Sequence, residues 1–282
     1  MFTIEEYKEY LPSNTIEESK NFEAFEKIAL LKHLQRYLGK TLVQQLLGAN
    51  PDASLLAAIK PAWINLTYLE SIPFFNLVLT GSGYGVVSNT NIAPASMDRI
   101  RELKDACLQA ANEGINQLLI YLELANPEGW NRCSINSGSL VPDTETFNSI
   151  TGMDLKRFTF VEMIPFARHI ENVVLANAFS LEFITDLASR EELNVKPLIQ
   201  KALAYFSFDM LIAKSQGMPE VKSNPVIGQY KKMAIDSKQR ALAYLEANHA
   251  SYPVYEQYGY EAPYDNASDD NESSFFIGGY TA

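Results

Sequence analysis

Residues 21–47 read NFEAFEKIALLKHLQRYLGKTLVQQLL, and the spacing of their apolar positions decides the fold class. Phe22, Phe25, Ile28, Ala29, Leu34, Tyr37, Leu38, Leu42 and Leu46 recur at helical intervals. That spacing lines one side of a helix. It predicts a long amphipathic helix or two helices broken at Gly39. Gly48, Asn50 and Pro51 then stop it. A second helical pattern covers 54–71. A third runs over Met97–Leu124, with Ile100, Leu103, Cys107, Ala111, Ile115, Leu118, Leu119 and Leu122 on its stripe. Ser96 stands as its N-cap and Asp98 in its first turn, where a negative charge suits the helix dipole. Asn126, Pro127 and Gly129 end it. One stretch has another texture. LVLTGSGYGVVSNTN, residues 77–91, is β-branched and glycine-rich and predicts a β-hairpin turning near Gly81–Gly83.

After a polar, turn-rich segment at 129–143, the order of elements begins again. Thr144–Ile150 is short and apolar, like Ile4–Leu11. Helical patterns follow over 159–187, 196–215 and 224–248. KHL at Lys32–Leu34 matches RHI at Arg168–Ile170. LLAAIKPAW at Leu55–Trp63 lies over LIQKALAYF at Leu198–Phe206. The helix Ala111–Asn126 lies over Ala234–Asn248, with Tyr-Leu-Glu in phase. The expected architecture is mainly α. Two related helical bundles stand in tandem, at 1–128 and 144–251, as from an internal duplication. They are joined by a linker at 129–143. The first bundle carries the β-hairpin arm. Residues 252–282 are expected to form an extended acidic tail, too polar for a core.

The chain has 282 residues, 23 Lys and Arg and 34 Asp and Glu, for a net charge of −11. No Lys or Arg follows Arg240, and Glu246, Glu256, Glu261, Asp265, Asp269, Asp270 and Glu272 lie beyond it. The body is near neutral and the end is acidic. Neither has the basic stripe of a nucleic-acid surface. Two cysteines, Cys107 and Cys133, make no disulfide framework and no thiolate metal site. The N-terminus lacks the basic start and apolar core of a signal peptide. Ile72–Leu79, the longest strongly apolar stretch, is far short of a span of about 20 residues.

Motifs that carry chemistry are scarce. His33 and His169 sit at matching repeat positions, which argues for packing in both places. Neither has a metal-type ligand at i+3 or i+4. Glu171, at i+2 from His169, points elsewhere on a helix. His249 sits near a helix end. Gly81–Gly85 lacks the Lys-Ser/Thr ending of a phosphate-binding loop and reads as a hairpin turn. Ser137 and Ser139 lack the glycine spacing of a nucleophile elbow. Cys107 falls on an apolar stripe. Trp63 is expected in the core, and Trp130 is expected to pin the linker to a domain. The expectation is a non-enzyme with no catalytic, metal or cofactor-binding residue.

The tail ends on an apolar tip, Phe275-Phe276-Ile277 followed by Tyr280, on an acidic tether. An exposed apolar peptide is costly unless covered, so it is expected to dock. Hairpin and helix, GYGVVSNTNIAPASMDRIRELKDACLQAANEGINQLLIYLE, then PEGW and TFNSITGMDLKRFTFVEMIPFARHIE, resemble a largely uncharacterised family of phage and prophage proteins. Gly85, Pro94-Ala95-Ser96, Trp130, Phe147, Arg157 and the helix Phe160–Glu171 anchor the likeness. The resemblance implies a virion protein of the head–tail connector or adaptor kind. It implies a ring of copies, twelve-fold if it matches a portal. Portal and tail proteins would be its partners, and DNA would pass through without specific binding. No membrane is implied. The chain would be made in the bacterial cytoplasm and end in the virion. Tyr84, Val86 and Val87 of the hairpin and Phe275, Phe276, Ile277 and Tyr280 of the tail are the expected contacts. The alternative expectation is an intracellular helical scaffold or regulator that binds a protein and never enters particles.

Overall fold

The computed structural model describes residues 2–11, 22–75, 77–80, 83–86, 96–214 and 228–258. The protein is mainly helical. Helix α1, Ile4–Tyr10, opens on Thr3, whose side chain accepts from the Glu6 N–H while Glu6 accepts from the Thr3 N–H. Helix α2, Glu23–Ala29, passes through a π-helical turn at Leu30–Leu34 into α3, Gln35–Leu46. The predicted break falls at Gly39, with φ 79° and ψ 168°. Asp52 caps α4, Ala53–Phe75, by accepting from the Leu55 N–H at 2.7 Å. Helix α5, Met97–Ala125, opens on Ser96 and closes on the left-handed Asn126.

Helix α4 outruns its expected end at 71 and carries Pro61 and Pro73 inside it. Proline already has a helical φ, and what it loses is one N–H donor. Burial compensates: Ile59, Ala62, Trp63, Ile64 and Leu66 are all buried, on successive sides of the helix. A helix apolar all round belongs inside. The first core gathers α2 to α5 around Ile59, Ala62, Trp63 and Leu66, with Leu30, Leu34, Leu38, Leu42, Leu118, Leu119 and Leu122, while Ile64 packs with Tyr7, Leu11 and Phe22 beside α1. Each such side chain contributes about 1.5–3 kcal/mol when buried.

The second half is helical as well. Helix α6 is Thr144–Thr151, capped by Asp143. Helix α7, Arg157–His169, enters a π-helical turn at Ile170–Leu175 and continues as α8, Ala176–Phe179. The pattern at 159–187 predicts one unbroken helix. Instead the chain breaks at Ser180, φ 70° and ψ 151°, and restarts as α9, Leu181–Ser189. Helix α10, Lys196–Lys214, packs along α11, Gln229–Asn248. The second core runs from Leu140 to Tyr255 through Phe147, Phe160, Phe179, Phe183 and Leu203.

Buried positions coincide along the two final long helices. Ala111, Gly114, Leu118 and Leu122 of α5 are buried. Ala234, Ser237, Ala241 and Leu245 of α11 are buried at the same spacing. Residues 77–80 and 83–86 pair antiparallel, Leu77 opposite Val86 and Leu79 opposite Tyr84. The turn residues 81–82 and the stretch 87–95 lie outside the described residues. This short ladder does not by itself amount to an arm.

One boundary differs from expectation, and the segment 129–143, expected as a linker that Trp130 pins, is packed. The Trp130 indole donates to the Tyr37 carbonyl at 2.9 Å, and Leu140 and Val141 belong to the second core. Residues 252–258 are not tail. Helix α12, Pro253–Tyr258, lays Tyr252 and Tyr255 against Phe183 of α9. Two aromatic rings are apolar surface enough to fold a segment whose composition is otherwise polar. Residues 259–282, including the tail tip, lie outside the described residues.

Candidate interaction surface

Helices α4 and α5 run antiparallel, with Gly114 against Ala62 and Cys107 beside Tyr68. Phe74 and Met97 therefore sit at one end of the pair, flanking the segment that connects the two helices. They are 62% and 74% exposed. Phe25 of α2 meets Phe74 with ring centres 5.3 Å apart. Ile28 of α2 and Leu31 of the π-helical turn that follows it are also exposed. Spacing of three places them on one stripe. The Phe74-Phe75 pair was the available sequence signal for this surface, and a helix ending at 71 hides it.

Of the expected contact residues, Tyr84 and Val86 occupy the second strand of the ladder. Val87, Phe275, Phe276, Ile277 and Tyr280 lie outside the described residues.

The titratable groups are spent on structure. Glu26 is 5% exposed, and one carboxylate oxygen accepts from the Phe2 N–H and the Tyr7 hydroxyl, each at 3.0 Å. Burial, reinforced by that carboxylate, raises the Tyr7 pKa. Glu171 plays the matching part in the second half. It accepts from the Leu140 N–H at 2.8 Å and the Ser139 hydroxyl at 3.0 Å. Burial raises its pKa, against the pull of those two donors and of Arg168. Glu171 thus anchors 139–141 to the second core, while Trp130 anchors the start of the same segment to the first.

His33 reaches Glu70 at 2.7 Å, and Lys32 shares that oxygen at 2.8 Å. Burial works to raise the Glu70 pKa, but the hydrogen bonds from Lys32 and His33 outweigh it and hold it low. His169 is exposed at the end of α7, whereas Glu171 is buried. Burial pushes both Cys107 and Cys133 up to about 11. The Cys133 thiol donates to the Tyr37 carbonyl at 3.2 Å. A thiol held protonated is a poor nucleophile. Among the described residues no three His, Cys, Asp or Glu side chains gather as a metal site.

The halves meet through α7. Phe158 and Val161 pack against the first core. The Arg157 N–H donates to the Asn116 side chain at 2.9 Å, and its guanidinium pairs with Glu123 at 2.7 Å. Arg36 pairs with Glu162 across the same boundary. No described helix is long and apolar enough to cross a membrane.

A family of unknown function (DUF6712) matches residues 14–138. That span takes in the first core and the connecting segment between α4 and α5, and it ends just before Leu140. No curated protein matches the chain, and no solved structure does.

Proposed function

We propose that this chain is a structural subunit of a tailed-phage virion. It is a connector or adaptor that assembles as a ring between portal and tail. In this reading the two helical units arose by duplication and form the rigid body. The segment 77–91 is an arm, and the acidic C-terminal segment reaches a neighbouring subunit. DNA passes through the ring without specific contacts. The sequence resemblance supports the assignment. The observation that carries it is the apolar end of the α4–α5 pair, where Phe74 and Met97 stand exposed on either side of the connecting segment. Exposed apolar patches on a protein surface mark places that a partner covers.

Quantitative mass spectrometry of purified particles tests the reading. The expected result is this chain at about the copy number of the portal. Particles that form and infect without it overturn the assignment. Deleting Ser273–Ala282 bears on the tail alone. Assembly should weaken while the thermal unfolding of the body stays unchanged; intact assembly removes the tail from the reading.

A further inference from the structure

The outer face of α11 carries the densest positive charge in an acidic protein. Lys231, Lys232, Lys238 and Arg240 lie within one ten-residue stretch, with Asp236 as the acid among them. Asp236 is taken by Arg240, at 3.0 Å. None of the three lysines forms an ion pair with a described carboxylate. They stand at i−4, i−3 and i+3 from Ile235, which is exposed. On a helix those offsets surround one residue. The result is an apolar spot framed by three ammonium groups that make no ion pair among the described residues. Among the described residues α10 is the helix packed along α11, and it covers the adjoining stripe of Ala234, Ser237, Ala241 and Leu245, leaving Ile235 exposed beside it.

We propose that this face is the seat of the chain's own C-terminal segment, Asp265–Ile277. The inference rests on the subunit reading above and gives its tail a receptor. The complementarity is of two kinds in one order. The segment offers Asp265, Asp269, Asp270 and Glu272, then Phe275, Phe276 and Ile277. The face offers three cations and an isoleucine. Reach also fits. From Asn248 back to Lys231 is about 25 Å of helix at 1.5 Å per residue. The described chain ends at Tyr258. The 7–14 residues from there to Asp265–Glu272 span up to about 23–46 Å extended. The subunit reading adds that the segment comes from a neighbouring copy.

Zero-length carbodiimide coupling on the full chain tests this, with coupled peptides identified by mass spectrometry. Lys32–Glu70 and Lys60–Glu6, ion pairs at 2.8 and 2.6 Å, are internal controls that should couple in every sample. The expected result is coupling of Asp265, Asp269, Asp270 or Glu272 to Lys231, Lys232 or Lys238. That coupling should fall about tenfold in about 1 M salt or in Ile235→Asp, with the controls unchanged. Should Ile235→Asp lose the control couplings, Ile235→Ser at the same exposed site replaces it. Tail acids that couple to other lysines, or to none, overturn the seat. So does duplex DNA that shields the three lysines while the tail stays uncoupled. Mixing isotopically heavy and light chains separates the two readings. Interchain coupling supports both; intrachain coupling keeps the seat and removes the tail from assembly.

Discussion

Gly39 and Ser180, one in each half, meet the same demand with different chemistry. Each follows a π-helical turn, and each breaks its helix in nearly the same conformation, φ 79° and ψ 168° against φ 70° and ψ 151°. That region is open to glycine and costs another residue about 1–3 kcal/mol. Gly39 meets no penalty and offers no cap. Ser180 bears the strain but returns part of it, because its hydroxyl accepts from the Phe183 N–H at 3.1 Å and starts α9. One backbone shape can therefore be reached through conformational freedom or through a compensating hydrogen bond.

The largest expected effect separates the halves at their helix crossings. A Cβ on Gly114 would lie 2.6 Å from the Ala62 nitrogen and 2.9 Å from its Cα. Both atoms are backbone, so α4 and α5 must part. Gly114→Ala should cost about 3 kcal/mol or more. In the second half the corresponding position is already Ser237, and Ser237→Ala should stay within about 1 kcal/mol. Chemical denaturation of the two variants checks the contrast. Equal losses would mean that the two crossings are equally tight.

Next in size is the exchange of the two break residues. Gly39→Ser should lose about 1–3 kcal/mol through backbone strain. Neighbours add little, since a Cβ there would sit 3.6 Å from the Asn131 side chain, an ordinary contact. Ser180→Gly should be neutral or gain up to about 1 kcal/mol, because relief of strain exceeds loss of the cap. The same pair of residues swapped in opposite directions should shift the thermal midpoint in opposite directions. Shifts of the same sign would break the parallel between the two turns.

The smallest effect concerns the two buried glutamates. The folded state raises the Glu171 pKa, so the native chain holds that proton to higher pH than the unfolded chain does. Its contribution is full below the unfolded value near pH 4 and falls as pH rises through the raised native value. Glu171→Gln keeps an oxygen acceptor for the Leu140 N–H and removes the buried charge. Its stability should be flatter across that window, and at neutral pH it should lie within about 1 kcal/mol of the parent or above it. Urea midpoints measured across pH for both proteins decide this. An unchanged slope in the variant would assign the pH dependence to another group.

Some of this was legible in the residues. The long amphipathic stripes, the break at Gly39, the cap at Ser96 and the burial of Trp63 follow from periodicity and from chemistry local to each site. The break at Ser180 was hidden because serine is no helix breaker by composition. Only its surroundings hold it in that conformation. The end of α4 was hidden because Pro73 reads as a stop, whereas Ser71 and Ile72, both buried, carry the helix up to it and beyond. The exposed pair Phe74 and Met97 became a surface only once α4 and α5 were seen to end together.

The sequence by itself determined where helices form and which stripe of each is apolar, because those follow from spacing within a few turns. It also set the acidic end against the basic start of α11. Tertiary structure decided the rest. It closed the 129–143 segment through Trp130 and Glu171, drew Tyr252 and Tyr255 into the second core, and chose which exposed side chains share a face. Those outcomes depend on contacts between residues far apart in the chain, and such contacts leave no local pattern.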